Sequence, residues 1–390
     1  MCPLAAMLAL TAKALYTPLE TIDQACVLVE DSSIVRLGTM AEIELPAKAK
    51  VVHFEDCVLA PGLVDIHIHG SVGHDVMQAD AGGRRKMEEF LARHGVTSYY
   101  PTTVTAPEEI TLAALDRLAD AIEASGDGQA GRAQPLGIHL EGPFLSHARR
   151  GVHPPENLAP PTLKTFEKFW EAARGHVSLM TIAPELDGAP QLIVQASRRG
   201  VCASLGHSDA DLASARKGVA AGARHATHTF NAMRPLDHRD PGILAEVLTN
   251  EHLTADIIAD GIHVDPAVVR LFCKAKGDDR AVLITDATAA AGMPDGVHRL
   301  GSLEVEVREG KCLYQGNLAG SVLTLDRAVR NTMQFAGWDL QRALRAASLN
   351  PARVTGVAKG VLKAGGDADL VAVNLKAEVR ATMVKGVLIQ

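Results

Sequence analysis

The chain of 390 residues lacks a basic excess: 39 lysines and arginines stand against 46 acidic residues, a formal charge of −7. A nucleic-acid surface needs the opposite balance, so binding to nucleic acid is excluded as a principal role. A local Arg/Lys/His pocket for a small anion is not. Cysteine is sparse and unpatterned. Cys2, Cys26, Cys57, Cys202, Cys273 and Cys312 include no CxxC and no disulfide-like rhythm, which fits reduced thiols in a cytoplasmic protein. No run of about 18 uninterrupted apolar residues occurs, so no membrane span is expected. The opening MCPLAAMLAL is apolar but has no basic n-region and no convincing cleavage site; it reads as an N-terminal strand. Repeats and low-complexity tracts are also missing. What the chain does have is apolar material: 47% of it is hydrophobic, enough for one large domain or a large domain with a smaller companion.

Residues 1–57 alternate short apolar runs (Ala25–Glu30, Ser33–Leu37, Lys50–Phe54) with turn-prone polar residues, the pattern of a small sheet. From about Gly360 the other end behaves alike, in DADLVAVNL and VRATMVKGVLIQ. The two ends therefore predict one small β domain. Between them eight short apolar or β-branched runs recur: LVDIHIH, TSYYPTT, PLGIHLEGP, HVSLMTIAPE, VCASLGHS, HATHTFNAM, LTADIIADGIHV and RAVLITDAT. Segments of helical periodicity separate most of them, at Arg84–Arg93, Glu108–Ser125, Leu163–Ala173, Ala210–Ala221 and Pro266–Lys276. In the second, Ile110, Ala114, Leu118 and Ile122 recur at i+4 and predict one apolar stripe. Eight strands alternating with helices match a (β/α)₈ barrel over residues 59–355, with a small β-sandwich built from 1–58 and 356–390. A doubly wound open sheet is the alternative, but no Gly-rich dinucleotide turn follows the first strand.

That layout gives the polar residues a common place. His67 and His69 end the first strand and share one side of it, two residues apart. His139 and Glu141 end the third, His207 the fifth and His228 the sixth; His263 follows the seventh and Asp286 ends the eighth. A single histidine after a strand is most often a structural hydrogen-bonding residue. So many strands delivering His, Glu or Asp to the C-terminal rim, where barrel active sites lie, point instead to a metal. His and carboxylate ligands without thiolate suit Zn²⁺, Fe²⁺, Mn²⁺ or a similar divalent ion. Such an ion lowers the pKa of water left in its shell. Asp286 is then the candidate base and acid, with an N-cap for the following segment as the plainer alternative.

PGLVDIHIHG, HLEGPF, GHSDA, HTFNAM, DGIHVD, ITDAT, NLAGS and the closing DADLV, in that order and spacing, resemble the amidohydrolase superfamily and, within it, the N-acetylglucosamine-6-phosphate deacetylases. The resemblance runs through nearly the whole chain. It implies a divalent-metal barrel, one or two ions per subunit (Zn²⁺ or Fe²⁺ first, Mn²⁺ or Co²⁺ next), and removal of acetate from an amino-sugar phosphate. Glu141, His207 and His228 match the family's principal ligands and Asp286 its catalytic aspartate. His67 and His69 match a first-strand pair that holds a second ion in some members. Glu141 takes the place of the carboxylated lysine that bridges two metals in many amidohydrolases; His139 is not counted as a ligand. Asn231 and Ala232 resemble a phosphate-contacting pair using backbone N–H groups. Arg239 matches an arginine reaching the phosphate from the neighbouring subunit of a homodimer, where a guanidinium suits phosphate oxygens. His263, His153 and Val152 match substrate contacts, and Leu318, Ala319 and Gly320 a loop over the sugar.

Three other readings stay open at this point. The galactosamine epimer differs by one inverted hydroxyl and leaves little trace in sequence. A cyclic-amide hydrolase is disfavoured by the residues that match phosphate contacts. A non-catalytic scaffold of the same fold would be expected to lose ligands or the final aspartate, and both are present.

Overall fold

A computed structural model describes residues 7–125, 130–301 and 303–390. Cys2 and the first six residues of the apolar opening lie outside the described residues; Met7–Tyr16, which completes that opening, is a strand. It pairs with Thr21–Glu30 and with Lys50–Pro61. Leu370–Asn374 pairs with Lys50–Pro61 from the other side, so strands of both chain ends hydrogen-bond into one seven-stranded sheet. Leu10, Leu15, Val27, Leu59, Leu370 and Met383 form its buried face, as the alternation in these segments requires.

The eight middle runs are all strands: Leu63–Ile68, Val96–Pro101, Ile138–Glu141, Val177–Ile182, Cys202–Leu205, His225–Ala226, Ala255–Ile258 and Ala281–Ile284. Helices follow them in alternation, the five expected ones at Ala81–Arg93, Glu108–Ala124, Leu163–Ala172, Leu212–Ala220 and Pro266–Arg280. Asp80 and Asp211 cap two of these, each carboxylate accepting an amide of the first turn. Neighbouring strands run parallel. Second and third meet at the Thr102–His139 bridge; sixth and seventh meet where Ala226 N donates to Thr254 O and Thr229 N to Asp256 O, at 3.1 and 2.9 Å. The eighth returns to the first: Asp286 N donates to His67 O at 2.9 Å, and His69 N to Ala287 O at 2.8 Å. All eight C-terminal ends therefore lie on the same side.

Two features depart from expectation. Ile110 is 44% exposed, and the buried face of its helix is Thr111, Ala114, Leu115, Leu118, Ala119 and Ala121. Steps of four residues overshoot a 3.6-residue turn by about 40° each, so a strict i+4 stripe slides off the core at its start. The second is an unforeseen four-stranded antiparallel sheet, Gly296–Leu300, Leu303–Arg308, Lys311–Tyr314 and Asn317–Leu318, inserted after the eighth strand.

Candidate metal centre

Six buried side chains from five strand ends converge. His67, His69 and Asp286 form one group able to hold an ion and Glu141, His207 and His228 another, the ligand atoms of each lying within 4.8 Å of one another. Glu141 joins them. Its Oε1 lies 3.0 Å from His228 Nε2 and 3.3 Å from His207 Nε2, while Oε2 lies 3.3 Å from His69 Nε2 and 3.4 Å from His67 Nε2. Asp286 Oδ1 sits 3.1 Å from His69 Nε2 and 3.5 Å from His67 Nε2.

The donor set fits a divalent cation. The Nε2 atoms of His207 and His228 face each other at 3.0 Å and those of His67 and His69 at 3.2 Å, an arrangement that needs something positive between lone pairs. His69 Nδ1 donates to Thr102 O at 3.0 Å and His207 Nδ1 to Arg149 O at 2.9 Å, which leaves Nε2 of each as the ligating atom. Burial alone would raise the Glu141 and Asp286 carboxyls. The charge of His67 and hydrogen bonds from neighbouring imidazoles outweigh it, holding Glu141 well below the usual range and Asp286 down to about 2. Two carboxylates this deeply buried demand positive charge beside them. Imidazole protons can supply it: His228, which burial would lower, is raised to about 9 chiefly by its bond to Glu141. A cation between the same atoms would supply it by displacing those protons.

The second strand contributes no ligand, but the residues at its end hold the main chain beside those that do. Thr102 Oγ1 accepts Ile68 N at 3.0 Å and Thr103 Oγ1 accepts Glu141 N at 3.2 Å. His139 is turned from the ions' place: its Nδ1 bonds Ile66 O at 3.0 Å and its Nε2 Thr181 Oγ1 at 2.8 Å.

Above the centre lies a cavity of about 190 Å³, lined by His69, Glu141, His207, His228 and Asp286 together with Val152, His153, Asn231, Ala232, His263, Leu318, Ala319 and Gly320. His67 is buried beneath it. Sequence reasoning missed Val104, Gly151 and Leu300, which complete the wall; Leu300 comes from the unforeseen sheet. His153 has the opposite tautomer to His69 and His207. Thr105 N donates to its Nδ1 at 3.2 Å, so its proton is on Nε2, 3.8 Å from Glu141 Oε2. Burial, aided by His207, pushes its pKa down to about 3, which keeps it neutral. His263 Nδ1 bonds Asp260 Oδ2 at 2.7 Å. The main-chain N–H of Asn231 is committed to His228 O at 2.9 Å, so it is not free for phosphate oxygens as expected; its side-chain Nδ2 also donates to His228 O, at 3.3 Å, with its second N–H left over. Arg239 is exposed on the loop after His228 and does not line this cavity. Gly320 permits the loop to close in: at φ +61°, a Cβ there would lie 2.5 Å from Thr288 Cγ2 and 3.0 Å from Asp286 O.

Two further aspartates were not singled out. Asp65 and Asp256 are buried completely within the first and seventh strands. The signal was a charged residue inside an otherwise apolar run, in LVDIHI and TADIIA.

Among known proteins, a bovine N-acetylglucosamine-6-phosphate deacetylase is 41% identical over 351 residues, covering 85% of this chain and 83% of its own. An N-acetylgalactosamine-6-phosphate deacetylase from Escherichia coli O157:H7 is 38% identical over 352 residues, covering 90% and 92%. An aspartate-to-alanine variant of the Mycobacterium smegmatis N-acetyl-D-glucosamine-6-phosphate deacetylase, solved with N-acetyl-D-glucosamine 6-phosphate, superposes with a TM-score of 0.92 at 34% identity, over 98% of this chain and 99% of that one. The model of the amidohydrolase family matches residues 58–389, and the chain belongs to that family.

Proposed function

We propose that the chain is a metal-dependent deacetylase that hydrolyses N-acetyl-D-glucosamine 6-phosphate to D-glucosamine 6-phosphate and acetate. The observation that carries this reading is the Glu141 carboxylate shared between two ligand groups, one oxygen to each, in a chain whose relatives bear that activity's name. The eight parallel strands are read as a closed (β/α)₈ barrel over residues 59–355, and 1–58 with 356–390 as a terminal β-sandwich domain.

Glu141, His207 and His228 would hold one ion, and His67 and His69 with Asp286 would bound the place of a second, with Zn²⁺ or Fe²⁺ as the native metal. Bound there, the metal supplies Lewis acidity toward the acetamide carbonyl and lowers the pKa of water. The chain's residues do the rest. His153, neutral with its proton on Nε2, donates to the carbonyl oxygen as it gains negative charge. Asp286 takes a proton from the attacking water and returns it to the sugar nitrogen as the C–N bond breaks, so the amine and acetic acid form, and the acid gives up its proton to leave as acetate. His263, its Nδ1 tied to Asp260, orients a sugar hydroxyl. Asn231 and Ala232 seat the phosphate. Val152 and Leu318–Gly320 cover the sugar and exclude water. Arg239 reaches the phosphate of the neighbouring site in a cytoplasmic homodimer, a reading supported by its exposure outside its own cavity. Among the described residues no helix is long and apolar enough to cross a membrane.

The E. coli relative named for the galactosamine epimer favours a second reading, the same chemistry on N-acetylgalactosamine 6-phosphate. Initial rates on both N-acetylhexosamine 6-phosphates and on unphosphorylated N-acetylglucosamine decide. The proposal expects the glucosamine phosphate to have the highest kcat/KM. A higher value for the epimer favours the second reading, and an equal rate without phosphate contradicts both.

A further inference from the structure

The four candidate histidine ligands divide into two kinds. His69 and His207 have their rings anchored, Nδ1 of each donating to a main-chain carbonyl. His67 and His228 do not: the Nδ1 of both is buried without a protein hydrogen-bond partner among the described residues. These two are also the ones whose main-chain N–H is held by a buried carboxylate. His67 N donates to Asp65 Oδ1 at 3.3 Å, and His228 N makes a short bond to Asp256 Oδ1. We infer that Asp65 and Asp256 are positioning residues for the metal centre, each fixing through the backbone an imidazole whose Nδ1 has no anchor behind it.

The surroundings make each carboxylate a clamp rather than a lone contact. Asp256 Oδ2 bonds His225 Nε2 at 2.9 Å, and His225 Nδ1 bonds Thr254 Oγ1 at 2.7 Å, so the carboxylate is braced from its own strand and the next. It holds a stretch under backbone strain, since His228, Phe230 and Ala232 have φ of +30°, +81° and +49°, where side chains other than glycine are disfavoured. That stretch carries both a ligand and the phosphate seat. Asp65 Oδ1 also accepts Thr285 N at 3.3 Å, and its Oδ2 accepts Thr285 Oγ1 at 2.6 Å. It thus ties His67 to the residue beside Asp286, both in the same ligand group. Hydrogen-bond partners behind metal ligands typically matter about 10–100-fold in metal affinity.

The inference rests on the metal site proposed above, and its test separates the two. Full-length protein is stripped with chelator and titrated with Zn²⁺ alone against a competing chelator dye, without substrate. Asp256→Ala should weaken the Glu141/His207/His228 site about 10–100-fold and spare the other. Asp65→Ala should do the reverse. Asp65→Asn and Asp256→Asn, which keep an oxygen for the N–H, should bind within a few-fold of wild type. Asp65→Leu and Asp256→Leu, which fill the volume, replace alanine variants that fail to fold, and a Leu10→Ala variant in the terminal sheet controls for general destabilisation. Loss of both sites alike, matched by the Leu10→Ala protein, or unchanged affinity in the alanine or leucine variants, overturns the inference. Leucine variants that also fail to fold overturn it too, because the aspartates are then needed for the fold itself. His67→Gln and His228→Gln run alongside: if these bind Zn²⁺ normally, the metal-site reading fails instead.

Discussion

Replacing Asp286 by asparagine separates chemistry from architecture. Asp286 sits at φ +49°, a left-handed conformation that asparagine tolerates better than most residues, so Asp286→Asn introduces no new backbone strain. Its main-chain bonds, N to His67 O at 2.9 Å and O from Ser321 N at 2.7 Å, survive. So does the side-chain shape 3.1 Å from His69 Nε2. An ion held by Glu141, His207 and His228, the group that excludes Asp286, would lose no ligand. What disappears is the carboxylate proposed to accept and return a proton. General acid–base groups typically contribute about 10²–10⁴-fold, roughly 3–5 kcal/mol of barrier. A metal-replete Asp286→Asn protein should therefore release acetate from N-acetylglucosamine 6-phosphate at least about 100-fold more slowly, with KM little changed, by coupled acetate assay on samples of equal metal content. Turnover within a few-fold of wild type in such a sample refutes the assignment.

The double variant His67→Gln with His69→Asn should lose one of two ions by elemental analysis while keeping the one at Glu141, His207 and His228; retention of both contradicts His67 and His69 as ligands of the second ion, and a single ion in the wild type contradicts a two-ion centre. Gly320→Ala places a methyl against Thr288 and Asp286 O at φ +61°; strain of about 1–3 kcal/mol should lower Tm and turnover together, and an unchanged Tm would remove the argument. Lys276 is buried with Nζ donating to Val247 O and Asn250 O at 2.7 and 3.0 Å. Burial, reinforced by Arg280, depresses its pKa from 10.5 to about 8. Between those values the folded state binds fewer protons than the unfolded, so stability rises with pH there. Denaturant midpoints of wild type relative to Lys276→Met should accordingly climb from pH 8 to pH 10; a flat or falling difference contradicts the shift.

The strand ends were legible because each strand is a short apolar run that stops at a residue no core would choose: His69, Glu141, His207, Asp286. The alternation LEVEVREG in residues 303–310 was an equally plain strand signal. It was overlooked because the inserted sheet interrupts the strand–helix rhythm. Ile110 misled through geometry, since four-residue spacing drifts from the helical period. Asp65 and Asp256 were harder. A mid-strand aspartate in a one-dimensional pattern resembles a flaw, and its use appears only when the backbone N–H of His67 or His228 is seen against it. The tautomer of His153 was equally hidden, because it depends on the amide of Thr105, far away in sequence.

The most direct test is acetate release from N-acetylglucosamine 6-phosphate, measured on one preparation before chelation, after chelation and after Zn²⁺ or Fe²⁺ is restored, with bound metal quantified each time. Activity should fall with the metal and return with it. Undiminished acetate release from metal-free protein, or none from protein carrying its full metal complement, contradicts a metal-dependent deacetylase built around Glu141.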